Sequence, residues 1–588
     1  MDENLKKFKL IRNIIGIGFA LILLASIRLQ IIEGKKHYRL SEENRIRKKF
    51  ITAPRGKIFD RNGLEIANTR PGLYVSIIPN IVDENTLREI SRILNINQVA
   101  ITEKLKIEKN PFMPVKIAHD IATNQIAIIE ENVDVLKGIE VGVEPVRNYP
   151  YGELFCHLLG YVGEITADEL KKDESYSIGA YIGRMGLEQY YEKNLRGVDG
   201  IEYIEVDARG REAGKIAEKR PVPVTPGNDL YTTIDLALSE SIAVYLKDYK
   251  KAACVCLNPK NGEVLVLYSK PGFDLNLFTY GIQEEEWQIL NNDPAAPMYN
   301  RATMSCYPCG SAFKPFVALA ALDAKMVTKE KRFEPCRGEY RLGTRIFKCW
   351  KIHGSLDLTN AIIHSCDIYF YQLGRFIGVD TITSRARVIG FGKLTGIDLP
   401  NEKTGILPDR KWFENRYSKY WTEGHILNLS IGQGDLLVTP LQLACAYTIF
   451  TNEAKIAIPH LVKNIGAAYR KTDISKSAID IVKQGLLGVV SAGTGAMARL
   501  KNIEVCGKTG TAQNPHGDDH SIFVGFAPAQ DPQILVCVIV ENAGHGGSVA
   551  APIAGNIMRI YLTKTIAQDS VNQNENTSKR LFGNQVTR

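Results

Sequence analysis

Nineteen consecutive residues, Ile14 to Ile32, read IIGIGFALILLASIRLQII and carry one charge, Arg28. A helix rises about 1.5 Å per residue, so this run reaches about 28 Å, close to the hydrocarbon thickness of a bilayer. Arg28 stands near its end, where a guanidinium can snorkel to the headgroups. A cleaved signal peptide is the rival reading. It calls for a small-x-small cleavage site, whereas the chain continues Glu33-Gly34-Lys35-Lys36. The expectation is an uncleaved anchor over 14–32 behind a short cytoplasmic tail, 1–13. Lys6, Lys7, Lys9 and Arg12 precede the span and a basic cluster follows it, so the charges orient it only weakly. The short tail and the long body favour a body outside the cytoplasm. No second run is long enough to return the chain.

The rest has an ordinary globular composition, with 45% hydrophobic and 23% charged residues, which excludes a mostly disordered chain. A length of 588 residues suits roughly two to four domains. Eleven cysteines are too few for a disulfide scaffold. The net charge of +8 is mild for this length. The densest basic run, Arg45-Ile46-Arg47-Lys48-Lys49, has no interleaved aromatic platform, so nucleic acid is not an expected partner.

Asn62-Gly63 and Asn261-Gly262 are hairpin turn signals. The second lies between two apolar stretches, Ala252 to Asn258 and Glu263 to Tyr268, that read as antiparallel strands. Residues from about 80 to 140 mix helical patterns with short strands. Pro221 to Asp229 is the best linker candidate. Helical periodicity dominates from Ala312 to about Phe450. Strands return at Ile503 to Ala512, His520 to Phe526 and Gln533 to Glu541. Strands, a helical block and strands again indicate an α+β domain with an antiparallel sheet between helices. The expected domains are 33–225 and 226–565, followed by a polar, disordered tail over 566–588.

Three short elements hold the chemistry: Ser311-Ala312-Phe313-Lys314, Ser365-Cys366-Asp367 and Lys508-Thr509-Gly510-Thr511. A serine hydroxyl attacks well only when a neighbour takes its proton. Ser311 and Lys314 sit three apart at the head of an apolar helix, so one face can carry both. A lysine can act as base when burial and nearby charge lower its pKa. On a strand edge, Lys508 and its hydroxyl neighbour can grip a carboxylate, and Gly510 leaves room for a ligand backbone. Each element alone is weak: a helix start with a surface lysine, a relaxed edge strand, an unremarkable turn.

In this order, separated by 54 and 143 residues, the three elements resemble the signature of penicillin-binding proteins and β-lactamases. From Pro54 to about Leu562 the chain resembles the class B penicillin-binding proteins. Supporting stretches are Arg55 to Gly63, Gly186-Leu187-Glu188, Leu195-Arg196-Gly197, Tyr231 to Asp235, Ile431-Gly432-Gln433-Gly434, Phe523 to Pro528 and Gly544-His545-Gly546-Gly547. Asp367, where many members carry Asn, and Tyr369-Phe370-Tyr371 resemble the elongation-type group, penicillin-binding protein 2. The resemblance implies a β-rich pedestal, a transpeptidase domain of the serine β-lactamase-like fold and a periplasmic body on an inner-membrane anchor. It implies a D,D-transpeptidase acting on peptidoglycan stem peptides and acylated by β-lactams. Ser311 would be the nucleophile, Lys314 the base and Ser365 a proton relay beside Lys508. Thr509 and Thr511 would hold the terminal carboxylate, with Gly510 between them. Asp367 would either hold Lys314 charged or only orient it. No organic cofactor is implied. Expected partners are a RodA-type SEDS glycosyltransferase and an MreC-like activator.

Cys336, Cys349, His353 and Cys366 form a separate set. Three thiols and an imidazole make a full tetrahedral zinc site with no open position, hence a structural one. Some penicillin-binding protein 2 relatives place zinc at this location. A Cys336–Cys349 disulfide and unlinked buried thiols are the alternatives. Two other functions compete with cross-linking. One is a β-lactamase or β-lactam sensor on the same fold. The other is a catalytically silent scaffold that recruits partners.

Overall fold

The computed structural model describes residues 2–564 except 37–45, 108–110, 174, 177–178, 207–211, 216–218 and 516. The expected polar tail and Arg45 of the basic run lie outside the described residues. The N-terminal helix, Asp2–Ile27, continues as one π turn, Arg28–Ile32. The helix that is long and apolar enough to cross a membrane runs over Leu5–Ile32, 28 residues, and contains the expected run 14–32, with Lys6, Lys7, Lys9 and Arg12 in its first turns. Arg28 Nε meets Glu33 Oε1 at 3.0 Å, so the one charge inside the apolar run is drawn towards its end.

The chain packs as two units. One takes Met1–Gly56, Thr69–Val146 and Arg196–Asn228; the other takes Lys57–Asn68, Arg147–Leu195 and Asp229–Arg588. In the first, Ile46–Ile51, Gly200–Val206 and Glu212–Lys215 form an antiparallel sheet. The helices Glu84–Leu94 and Thr123–Glu131 lay Ile90 and Ile126 on a core with Val75, Ile77 and Ile117. Asp83 caps the first of these helices by accepting from the Thr86 N–H, and Asn95, at φ 54°, ends it.

The second unit is built on a five-stranded antiparallel sheet. Its strands are β1 (Ala252–Leu257), β2 (Val264–Lys270), β3 (Cys506–Ala512), β4 (His520–Ala527) and β5 (Ile534–Val540), in the order β2-β1-β5-β4-β3. β1 and β5 have no polar face. On β1, Ala253, Val255 and Leu257 enter one core while Ala252, Cys254 and Cys256 enter the other, and all six are buried. A sheet apolar on both faces must be covered on both. The helices α1 (Lys314–Asp323), α2 (Asp367–Ile389) and α3 (Lys476–Ser491) contribute to the first core. Leu236–Tyr245 and a C-terminal helix over 550–564 contribute to the second. This is the expected antiparallel sheet between helices.

Both predicted hairpins form. Gly262, at φ +85°, closes the β1–β2 turn, where the Asn258 N–H donates to Glu263 O at 2.8 Å. At Asn62-Gly63 a neighbour organises the turn: the Asp60 carboxylate accepts from the Asn62 and Leu64 N–H groups at 2.7 and 2.9 Å.

His157, buried in the helix Gly152–Leu159, donates from Nε2 to Pro297 O at 2.6 Å. Burial pushes its pKa down to about 4. The folded chain therefore holds it neutral where the unfolded chain protonates it, near pH 6.5. Its contribution to stability is complete above pH 6.5 and is lost as pH falls towards 4. Unfolding measured at pH 7 and pH 5 is expected to lose about 2 kcal/mol from this group, a difference that His157→Gln removes.

Candidate active site

The site starts where α1 starts. Pro315 stands in the first turn of α1, where a missing N–H costs nothing, and a 3-10 turn, Gly310–Phe313, leads into it. Ser311 is half-buried on that turn. Gly310 places the turn directly on β3. Its φ is +53°, and a Cβ there would lie 2.4 Å from the Thr511 carbonyl oxygen. Its N–H donates to Gly432 O at 2.8 Å.

Lys314 is fully buried. Its Nζ donates to Ser365 O at 2.7 Å and Ser365 Oγ at 3.2 Å, and meets Asp367 Oδ1 at 2.7 Å. Lys508, also buried, donates to the same Ser365 Oγ at 2.9 Å and to Thr509 O at 3.2 Å. One hydroxyl thus sits between two buried lysines. Ser365 is held there at φ +53°, a left-handed conformation that costs a serine energy. Asp367 is the first residue of α2, where the helix dipole favours a carboxylate. Burial first, and then the nearby Lys314 charge, hold the Lys508 ammonium well below the usual lysine range.

The three motifs therefore converge, with one difference from the expected pairing. The Lys314 backbone N–H donates to the Ser311 carbonyl, but no hydrogen bond links the Ser311 hydroxyl to Lys314 Nζ. Lys314 turns to Ser365 and Asp367, and among the described residues Ser311 Oγ has no hydrogen-bond partner. A carboxylate and a carbonyl hold an ammonium more strongly than a hydroxyl does.

On β3, Thr509 Oγ1 lies 2.8 Å from Thr494 Oγ1. The Thr511 carbonyl accepts from Gln433 Nε2 at 2.8 Å, and the Gly546 N–H reaches Thr511 Oγ1 at 3.4 Å. β3 is an edge strand, and in an antiparallel ladder a residue's N–H and C=O point to the same side. The Thr511 amide therefore points off the edge with its carbonyl. Gly510 also serves the fold: a Cβ there would lie 2.6 Å from the Cys309 carbonyl oxygen. It makes room for the serine turn of the chain itself. Gln433 and Thr494 were missed as site residues. Their signals are glycine pairs, Gly432 with Gly434 and Gly493 with Gly495, which let a loop press a polar side chain against a strand.

The sulfur and nitrogen atoms of Cys336, Cys349, His353 and Cys366 all lie within 4.8 Å of one another. His353 Nδ1 is 3.6 Å from Cys336 Sγ and 3.5 Å from Cys349 Sγ, and its Nε2 is buried with no partner among the described residues. The Cys366 thiol, donating to Cys349, pulls the Cys349 pKa down to about 5 and its own up. All eleven cysteines are free, so the alternative Cys336–Cys349 disulfide is not formed. The cluster borders the reactive loop, since the Asp367 N–H donates to Cys349 Sγ at 3.3 Å.

A sheet between helices, with a serine turn at a helix head facing a lysine-bearing edge strand, defines the class of serine acyl-transferring enzymes and β-lactam-binding proteins. Residues 252–559 match the penicillin binding protein transpeptidase domain, and residues 50–232 match the penicillin-binding protein dimerisation domain. The chain is 35% identical to the peptidoglycan D,D-transpeptidase MrdA of Haemophilus influenzae over 92% of its own length and 89% of the relative's. Among solved structures it is similar to penicillin-binding protein PBP2 of Helicobacter pylori in complex with MreC, with TM-score 0.79, 28% identity, and 88% and 99% of the two chains covered. It is also similar to a chain of a peptidoglycan synthase complex that coordinates polymerization and crosslinking, with TM-score 0.70, 28% identity, and 94% and 97% covered. The chain belongs to the penicillin-binding proteins that join a dimerisation domain to a transpeptidase domain.

Gly310→Ala is expected to destabilise the second unit by roughly 1–3 kcal/mol, because the added methyl drives the serine turn off β3. Gly63→Ala is the control, as φ is +88° there but nothing lies within 4 Å of a Cβ. A loss at Gly310 no larger than at Gly63 would mean that the turn is not pinned by this contact.

Proposed function

We propose that the chain is a peptidoglycan D,D-transpeptidase of cell-wall elongation, held in the cytoplasmic membrane by its N-terminal helix with its body in the periplasm. The observation that carries this is the Ser365 hydroxyl held between Lys314 and Lys508 beside the Ser311 turn. Ser311 Oγ attacks the carbonyl of the penultimate D-Ala. Lys314 first passes one proton to the Asp367 carboxylate it touches, and the amine so freed takes the Ser311 proton. The N–H groups of Ser311 and Thr511 take the developing oxyanion, a contribution of about 3 kcal/mol per donor in serine hydrolases. The amide C–N bond breaks as Ser365 passes a proton to the leaving D-Ala nitrogen and Lys508 makes good its loss. Thr509 and Thr511 hold the terminal carboxylate, and Gly510 keeps the strand close. The side-chain amine of a neighbouring stem then attacks the acyl ester, the ester C–O bond breaks as Ser311 takes back the proton held on Lys314, and the proton the amine loses returns through Ser365 to Lys508.

A penicillin is expected to acylate this serine in place of the stem. In intact-mass labelling the wild type gains one penicillin per chain and Ser311→Ala gains none. An adduct that survives the substitution would move the nucleophile elsewhere. Rapid turnover of the penicillin would instead make the chain a β-lactamase, and cross-linking retained by Ser311→Ala would make it a scaffold.

The Cys336, Cys349, His353 and Cys366 donors suit a structural zinc: four protein ligands, one thiol already biased towards thiolate, and no position left for substrate. Bound there, the ion would fix Cys366 and so the loop carrying Ser365 and Asp367. Metal analysis of the full-length protein is expected to find one zinc per chain, and a strong chelator to lower the unfolding midpoint while exposing the three thiols. Zinc-free protein with two thiols missing would favour the disulfide. The Helicobacter complex supports an MreC-like partner for this chain; the synthase complex, which couples polymerization to crosslinking, supports a polymerising partner, and the RodA-type SEDS glycosyltransferase rests on the family resemblance alone.

A further inference from the structure

Next to the Ser365 loop runs a two-stranded ribbon, Glu339–Leu342 with Arg345–Lys348. Its register sets Glu339 opposite Lys348, Tyr340 opposite Phe347 and Arg341 opposite Ile346. Opposed residues share a face. Tyr340 and Phe347 form the inner face and pack on Tyr371, with ring centroids 6.4 and 5.5 Å away. The outer face carries Glu339, Arg341, Ile346 and Lys348. The same alternation brings out Trp350, 60% exposed, and Ile352, 68% exposed.

Trp350 is exposed yet fixed. Its indole N–H donates to the His364 carbonyl at 3.2 Å, and its ring stands edge-on to His353 at 5.2 Å. His364 is the residue before Ser365, so the indole face lies at the lip of the reactive loop. The charge around it is one-sided. Residues 336–353 hold five basic side chains and one acidic one, a surplus of four out of the chain's net +8. Arg341 meets Glu339 at 3.5 Å. Arg337, Arg345, Lys348 and Lys351 make no ion pair among the described residues. An aromatic plane held rigid in water beside uncompensated cations is a binding surface rather than packing.

We propose that this ribbon holds the wall glycopeptide outside the reacting stem. The Trp350 face stacks on a sugar ring of the glycan strand, and Lys348 and Lys351 meet free carboxylates of the stems that the strand bears. This rests on the transpeptidase reading above and names the polymer contact that goes with it. Charge complementarity selects the occupant, because the stems are anionic, and so does continuity with the loop that carries Ser365. Tethering the strand there keeps an acceptor amine near the acyl-enzyme, where water would otherwise compete.

The test uses the full-length chain in detergent and three probes: soluble uncross-linked glycan strands bearing pentapeptide stems, the free pentapeptide, and phosphatidylglycerol vesicles. Trp350→Ala and Lys348→Glu are each expected to raise the Kd for the strands roughly tenfold, the scale of one stacking or charge contact. Trp350→Phe is expected to retain most of the affinity. Binding of the free pentapeptide, penicillin acylation of Ser311 and the thermal midpoint should stay as in the wild type. Strand affinity unchanged in both disruptive variants would overturn the proposal. So would wild-type affinity for the vesicles alone, lost in the variants, which would make the ribbon a lipid contact. A wild type that penicillin does not acylate would instead remove the transpeptidase reading itself.

Discussion

Two lysine amino groups buried around one serine hydroxyl set the terms for the rest of this structure. Burying a charge is costly unless it is paired and hydrogen-bonded. Lys314 is compensated by Asp367 and the Ser365 carbonyl. Lys508 lacks a carboxylate of its own within bonding distance among the described residues, and its ammonium is correspondingly weakened. The arrangement survives only if Ser365 is held in its left-handed conformation and α2 starts at Asp367. That requirement explains the tight surroundings of the loop, with α1 on one side, β3 on another and the cysteine–histidine cluster behind Cys366.

The sheet supplies the rigidity. β1, β4 and β5 lie inside it, and β5 buries both of its faces without a polar residue. β3 is different: it is an edge whose outward groups are used rather than hidden. The Gly310 turn closes on Thr511, Gln433 clasps the Thr511 carbonyl, and Thr494 meets Thr509. An exposed edge is normally a liability for association. Here the chain covers part of it with its own loops. A second exposed feature, the Trp350 ribbon, is rooted in the same loop, so recognition of the polymer and chemistry on the stem share one support.

Much of this was legible in the amino-acid pattern. Asn261-Gly262 marked its turn because few residue pairs tolerate the needed φ. The strands of the central sheet announced themselves as short apolar runs, and the order of the three motifs pointed to their convergence. Spacing could not say which partner Lys314 would choose. Ser311 and Lys314 share a turn, but Asp367, 53 residues away, competes better for the amine. Nor could a lone glycine disclose why it is needed: Gly510 faces the Cys309 carbonyl, a contact that exists only once α1 has docked. The grouping of 57–68 and 147–195 with the later sheet was equally hidden, because local patterns do not say which distant surface a segment will cover.

The sequence by itself determined the apolar helix, the alternation that buries both sheet faces, the turn positions and the kinds of reactive group, since these depend on residue chemistry over a few neighbours. Only the tertiary structure decided that Lys314 and Lys508 meet at one hydroxyl, that Gln433 and Thr494 steady β3, and that an indole stays in water beside Ser365. Those outcomes come from packing between segments remote in the chain, where distance and desolvation, rather than residue type, choose the partner.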